Sequence, residues 1–244
     1  MRNELTVKIG LCEKKCIIGN GFFSSWKPTR NVHKHNYSEI HIITGGIAVF
    51  RCGKKRFSLQ GGCVMAVPAD TLHVFEEFDD GLYHTAFLID GDISKFSIHN
   101  VSEGVLSAFF LEIENLEKTG NYTKIAAFIA LLCSDFFKES RMEADRITDH
   151  AFIINNYFSM NYRNNVTLSD LAGELHFSDK QTERLVKQYT GMTFKQALIS
   201  YRMIIAEYLS ETTEMSLLEI AHYVGYRSYN GFWKAFTKYN AKHK

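Results

Sequence analysis

The chain has 244 residues, 45% of them hydrophobic and 23% charged, with a formal net charge of +1. That balance supplies enough apolar side chains for one large core or two ordinary ones and excludes a disordered or low-complexity protein. The longest unbroken apolar run, 125–133, is too short to span a bilayer, and the start lacks the apolar stretch of a secretion signal, so a cytoplasmic protein with no membrane partner is expected.

Both prolines and ten of the sixteen glycines precede residue 100. Short β-type runs at 39–44, 47–52, 56–59 and 63–67 are separated by Gly45-Gly46, Gly53-Lys54 and Gly61-Gly62. Many short strands between glycine turns predict an all-β sandwich or barrel over residues 1–101. The five cysteines, at 12, 16, 52, 63 and 133, are an odd and scattered set rather than a secreted disulfide framework. Cys12 and Cys16 have no second pair at finger spacing, so no structural zinc is expected there. Cys63 and Cys133 lie in apolar runs and read as core residues.

Within this region His33-x-His35-x3-Glu39-x6-Gly46 is followed by Gly62-x5-Pro68-x4-His73. Three imidazoles and a carboxylate are a good donor set for zinc, iron, manganese or nickel. The pattern resembles the two motifs of the cupin barrel, which implies that His33, His35, Glu39 and His73 converge inside a small β-barrel. It departs from the cupin pattern at Asp70, where a glycine belongs, and at Glu77, where the last polar residue belongs. The site reads either as a divalent metal centre or as a metal-free polar pocket, with no cofactor required. His41, two beyond Glu39, shares its strand face. Arg30 and Trp26 are candidates for a charged and a stacking contact at the mouth.

After about residue 102 the period changes. Val105, Leu106, Phe109, Phe110 and Ile113 recur at helical spacing, as do Ile125, Phe128, Ile129, Leu132 and Phe136, with Gly120-Asn121 between the two series. A helical pair over 102–140 follows. Its stripe of Leu106, Phe109, Phe110 and Ile113 exceeds what one side of a small barrel needs and reads as a homodimer interface; the alternative is packing onto the chain's own barrel. The charged stretch 139–145 marks a linker, and everything from 147 to 244 reads as helix.

That helical half holds an internal repeat. Leu168, Leu171, Ala172, Leu175 and Phe177 match Leu217, Ile220, Ala221, Val224 and Tyr226; after one inserted residue, Arg184, Val186 and Tyr189 match Lys234, Phe236 and Tyr239. Thr167/Asp170, Ser178/Gln181, Thr193/Gln196 and Ser216/Glu219 have capping-box spacing and mark helix starts. Each copy is a short helix, a tight turn and a second helix. Between the copies Phe194, Ala197, Leu198, Tyr201, Ile205, Tyr208 and Leu209 form one face of a long helix. Such a helix can hold two recognition helices about 34 Å apart, one duplex turn. Charge adds little: from residue 147 on, eleven Lys and Arg face nine Asp and Glu.

Residues 153–239 resemble the DNA-binding domain of the AraC/XylS family of bacterial regulators. The carrying motifs are Leu168-Ser-Asp-Leu-Ala, Phe177-Ser178, Tyr189-Thr-Gly191-Met-Thr-Phe194, Tyr201-Arg202, Ala206-x-x-Leu209, Ile220-Ala221, Val224-Gly225-Tyr226 and Phe232-x-x-x-Phe236-x-x-Tyr239. The resemblance implies a two-domain transcription regulator, not an enzyme: an N-terminal all-β cupin-like sensing barrel with two following helices, and a C-terminal all-α double helix-turn-helix. It implies double-stranded DNA and a small polar effector, a sugar or sugar derivative, as partners, with RNA polymerase a further candidate. The first recognition helix, about 179–189, would face DNA with Lys180, Gln181, Glu183 and Arg184. The second, about 229–239, would do so with Tyr229, Asn230, Trp233 and Lys234. Arg30, His33, His35, Glu39, His41 and His73 would line the effector site, since barrels of this type carry such histidines without implying metal. The competing function is a metal-dependent cupin enzyme with a helical appendage.

Three departures qualify the resemblance. Thr182 stands where the family usually has a larger apolar residue. Gly231 sits inside the second recognition helix, where glycine costs about 1 kcal/mol relative to alanine. Only Asn240-Ala-Lys-His-Lys244 follows Tyr239, where the family usually continues with a Gly-x-x-Pro turn and a short covering helix, so the second unit is expected to stand uncovered there and Lys234 to contribute less than Arg184.

Overall fold

The computed structural model describes residues 3–9, 12–18, 28, 30–91, 93–119, 122–137 and 149–243, in two compact units, Met1–Asp145 and Arg146–Lys244. The 139–145 linker and Trp26 lie outside the described residues.

The first unit carries β1 (Asn3–Ile9), β2 (Cys12–Ile18), β3 (Ser38–Gly45), β4 (Ile47–Cys52), β5 (Lys55–Gln60), β6 (Cys63–Val67), β7 (His73–Phe78), β8 (Tyr83–Ile89) and β9 (Ser97–Asn100), then helices α1 (Glu103–Thr119) and α2 (Tyr122–Cys133). A large sheet in the order β1-β2-β8-β3-β6-β9 and a small one in the order β5-β4-β7 form the β-rich unit that the glycine-punctuated runs predict. β3 is central, antiparallel to both β6 and β8. Its alternate residues therefore serve two different cores. Ile43 joins Met65, Val67, Phe50, Phe75 and Leu82 between the sheets. Ile40 and Ile42 join Phe87 and Ile89 on the opposite face, beneath α1 and α2. Glu39 and His41 share the register of Ile43, so they belong to the inter-sheet side.

The α1 stripe goes inward. Leu106, Phe109 and Ile113 are buried in the core shared with the large sheet, and Phe110 packs partly against it. The stripe thus packs onto the chain's own barrel, the second of the two readings. The apolar residues left outward are others: Leu111 and Leu131 are each 58% exposed.

The second unit is all helix: α3 (Asp149–Asn161), α4 (Leu168–Leu175), α5 (Asp179–Thr190), α6 (Phe194–Thr212), α7 (Leu217–Tyr223) and α8 (Tyr229–His243). All four expected capping boxes form, at Thr167, Ser178, Thr193 and Ser216, each closing both hydrogen bonds with the residue three later. All seven residues of the long-helix face are buried along α6. That helix packs against α5, α7 and α8 and, at 19 residues, is about 28 Å long. α8 runs past Tyr239 to His243, because nothing in Asn240-Ala-Lys-His stops a helix. No described helix is long and apolar enough to cross a membrane.

Candidate functional site

Each unit holds a candidate site. In the first, two backbone hydrogen bonds exchanged between His33 and His73, at 3.1 and 2.9 Å, tie the segment before β3 to the start of β7. The two rings lie 4.2 Å apart. A third bond, from Asp70 N–H to the His35 carbonyl at 2.7 Å, draws the turn before β7 against His35. Asp70 adopts φ of 57°, the left-handed conformation that explains glycine in the cupin pattern and that Asp tolerates better than most residues.

Glu39 is the meeting point of the cluster. Its Oε2 lies 3.0 Å from His35 Nε2, 3.0 Å from His73 Nε2 and 3.1 Å from His41 Nε2. One donor atom each from His33, His35, Glu39 and His73 fits within a 4.8 Å span. The structure therefore brings together His33, His35, Glu39, His41 and His73. Arg30, by contrast, is exposed and holds its guanidinium over the Phe78 ring, 4.5 Å from the centroid.

The tautomers follow from the hydrogen bonds. Nδ1 of His33, His35 and His73 each faces a main-chain oxygen, of Asn31, Tyr37 and Thr71, at 2.8–2.9 Å. A carbonyl only accepts, so each Nδ1 carries a proton and each neutral ring presents its Nε2 lone pair inward. Two acceptors 3.0 Å apart repel unless a proton or a cation joins them. Burial opposes protonation of His35, but the charge and hydrogen bond of Glu39 raise it above the usual histidine value. Burial lowers His73, and burial with the neighbouring His73 charge lowers His33 further. Burial would raise Glu39, yet His41 and His35 outweigh it and hold the carboxyl well below the usual range.

One member of this network was missed from sequence. His84 on β8 is buried, and its Nε2 lies 2.7 Å from His41 Nδ1, with the rings stacked at 5.0 Å. Its register opposite Ile43 puts it diagonal to His41 across the β3–β8 ladder. Period-two alternation within 83–89 was the only available signal, and the strand pairing that gives it meaning is non-local.

In the second unit, Thr182 and Val186 bury one face of α5, and Phe232 and Phe236 bury the matching face of α8. Lys180, Gln181 and Arg184 are exposed on α5, as are Tyr229, Asn230, Trp233 and Lys234 on α8. Two side chains are partly committed. Gln181 Oε1 accepts from the N–H and hydroxyl of Ser178, which leaves its amide NH2 for other partners. Glu183 is half-buried and accepts the Phe194 N–H at 3.2 Å, capping the start of α6. Gly231 lies in the first turn of α8, not its middle, and gives its N–H to Ser228 Oγ at 3.2 Å. Its cost there is the smaller one of a helix start.

Residues 22–136 match a family model described as an AraC-like ligand binding domain, and residues 171–241 match a helix-turn-helix domain. The Msm operon regulatory protein of Streptococcus mutans is 25% identical over 123 residues, 50% of this chain and 42% of that protein. The chain thus spans less than half of that relative. The HTH-type transcriptional activator RhaR of Mannheimia succiniciproducens is 22% identical over 238 residues, 87% of this chain and 85% of that protein. Among solved structures, the C-terminal domain of the two-component response regulator yesN from Fusobacterium nucleatum is 34% identical, with a TM-score of 0.34, covering 36% of this chain and 91% of that one.

Proposed function

Because the chain belongs to the AraC/XylS family, whose members are DNA-binding transcription regulators rather than enzymes, we propose a cytoplasmic one-component regulator whose barrel cluster receives a small polar effector. One observation carries the DNA half of this reading. Arg184 and Lys234 occupy equivalent places on two recognition helices, both exposed, both opposite a buried face. Lys180, Gln181, Glu183, Tyr229, Asn230 and Trp233 complete the two faces. Glu183, already accepting from Phe194, contributes by capping the start of α6 more than by reading a base.

The effector reading rests on the chemistry of the cluster. Imidazoles and a carboxylate around one point suit the hydroxyl groups of a sugar or sugar derivative. A mobility-shift assay on the DNA upstream of the protein's own gene, with and without a panel of sugars, tests both halves. A retarded band that one sugar strengthens or releases is the expected result, and no band under any condition would overturn the proposal.

A second reading of the cluster has its own support. Three rings with Nδ1 fixed on carbonyls and Nε2 turned inward, beside a carboxylate, form the outer-shell arrangement that orients metal ligands. His33, His35, Glu39 and His73 would hold a divalent cation, which would supply a positive centre to bind an oxygen-rich effector.

A homodimer is proposed through the outward side of α1 and α2, where Leu111 and Leu131 are exposed, rather than through the buried stripe. Sedimentation of Leu131→Glu against the unaltered chain tests it, since loss of a dimer is expected only in the variant. RNA polymerase remains a candidate partner of the DNA-bound protein.

A further inference from the structure

The two recognition helices differ at the positions that flank their crests. At the repeat offset of fifty residues, Asp179 and Glu183 of α5 correspond to Tyr229 and Trp233 of α8. On α5 both flank residues are acidic and satisfied within the domain: Asp179 Oδ2 accepts from Ser169 Oγ at 2.7 Å, and Glu183 accepts from Phe194 N–H. On α8 both are aromatic. Tyr229 is 37% and Trp233 45% exposed, and their rings stack at 6.2 Å with an interplanar angle of 24°.

Two large exposed rings, nearly parallel and one helical turn apart, form an apolar ledge beside Asn230 and Lys234. In a major groove, the apolar feature at a base edge is the thymine C5 methyl group, and an indole N–H donates but cannot accept. The α5 flank offers only anionic groups, which phosphates repel and which are already bonded.

We propose that the two units read different chemistry, with Trp233 and Tyr229 selecting thymine methyl groups in the DNA segment beneath α8. This rests on the double helix-turn-helix binding DNA as proposed above. Arg184 and the amide of Gln181 give the first segment a polar readout instead. Asn230 adds adenine recognition beside the ledge, so the second segment is rich in A·T pairs while the first need not be.

The test selects duplexes from a random pool with the full chain, then replaces each thymine of the selected site by deoxyuridine, which removes only the methyl group. Deoxyuridine at one or two positions of one segment is expected to weaken binding roughly fourfold each, the worth of a buried methyl. Trp233→Ala should abolish that discrimination, and Trp233→Phe should keep part of it. Since Trp233 is a surface residue, circular dichroism should show both variants folded. Uniform tolerance of deoxyuridine, or discrimination that persists in Trp233→Ala, would overturn the thymine assignment while leaving DNA binding intact. Selection of no duplex at all would overturn the DNA reading itself. A Trp233→Ala variant with unchanged DNA preferences that loses a protein partner would assign the ledge to that partner instead.

Discussion

Thr182 on α5 and Phe232 on α8 occupy the same place in the two repeated helices, and both are completely buried. Phe232 fills its site with an aromatic ring stacked on Phe236, 5.2 Å between centroids. Thr182 fills its site with a hydroxyl that has no hydrogen-bond partner. Burying an unpaired hydroxyl is unfavourable, and valine has the same shape without it. Thr182→Val is therefore expected to stabilise the helical unit by about 1 kcal/mol. Urea unfolding followed by circular dichroism would show it as a higher midpoint; a lower one would mean the hydroxyl is satisfied.

The turns of the two repeats also differ. Gly225 has φ of +85°, and a Cβ there would collide with the Arg163 carbonyl oxygen. Its counterpart His176 holds φ of 56° at the exposed end of α4. Gly225→Ala should cost about 2–3 kcal/mol, from strain plus the backbone clash. His176→Gly should gain up to about 1 kcal/mol by relieving the left-handed strain of a residue with a Cβ. Thermal unfolding of the pair checks the contrast, and matching losses in both would contradict it.

In the barrel, the inward Nε2 atoms set the expectation for metal. On the metal reading, protein purified without chelators should carry close to one divalent ion per chain and His35→Ala should lose it; on the polar-pocket reading it should carry none. Elemental analysis decides the matter: a metal-free chain that still binds its effector would leave only the polar pocket.

How far the chain could be read depended on how local each signal was. The four capping boxes formed as spaced, because the Ser or Thr and its partner lie three residues apart and need no tertiary information. The face of α6 was legible for the same reason. Convergence of His33, His35, Glu39 and His73 followed from the motif, and Asp70 at its glycine position proved compatible by adopting the glycine-like conformation. Direction was harder to read. The α1 stripe announces an apolar face, but only the large sheet beneath it decides what that face meets. His84 depends on β8 pairing with β3, and the capping of α6 by Glu183 joins residues eleven apart through the fold.

The last prediction separates the two ways Arg184 and Lys234 can meet DNA. Both are exposed at equivalent positions, so each should reach its own segment about one helical turn from the other. If Arg184 bridges the O6 and N7 of a guanine, Arg184→Ala should weaken binding by about 1–3 kcal/mol and relax preference at a single base pair. If it contacts phosphate instead, binding to all sequences should weaken alike and the salt dependence should flatten. Lysine is a point charge without the planar fork of arginine, so Lys234→Ala should show the smaller loss and the more phosphate-like pattern. Titrations of both variants against specific and scrambled duplexes at two salt concentrations distinguish these outcomes. Affinity, base preference and salt slope unchanged in both variants would remove the two residues from the interface.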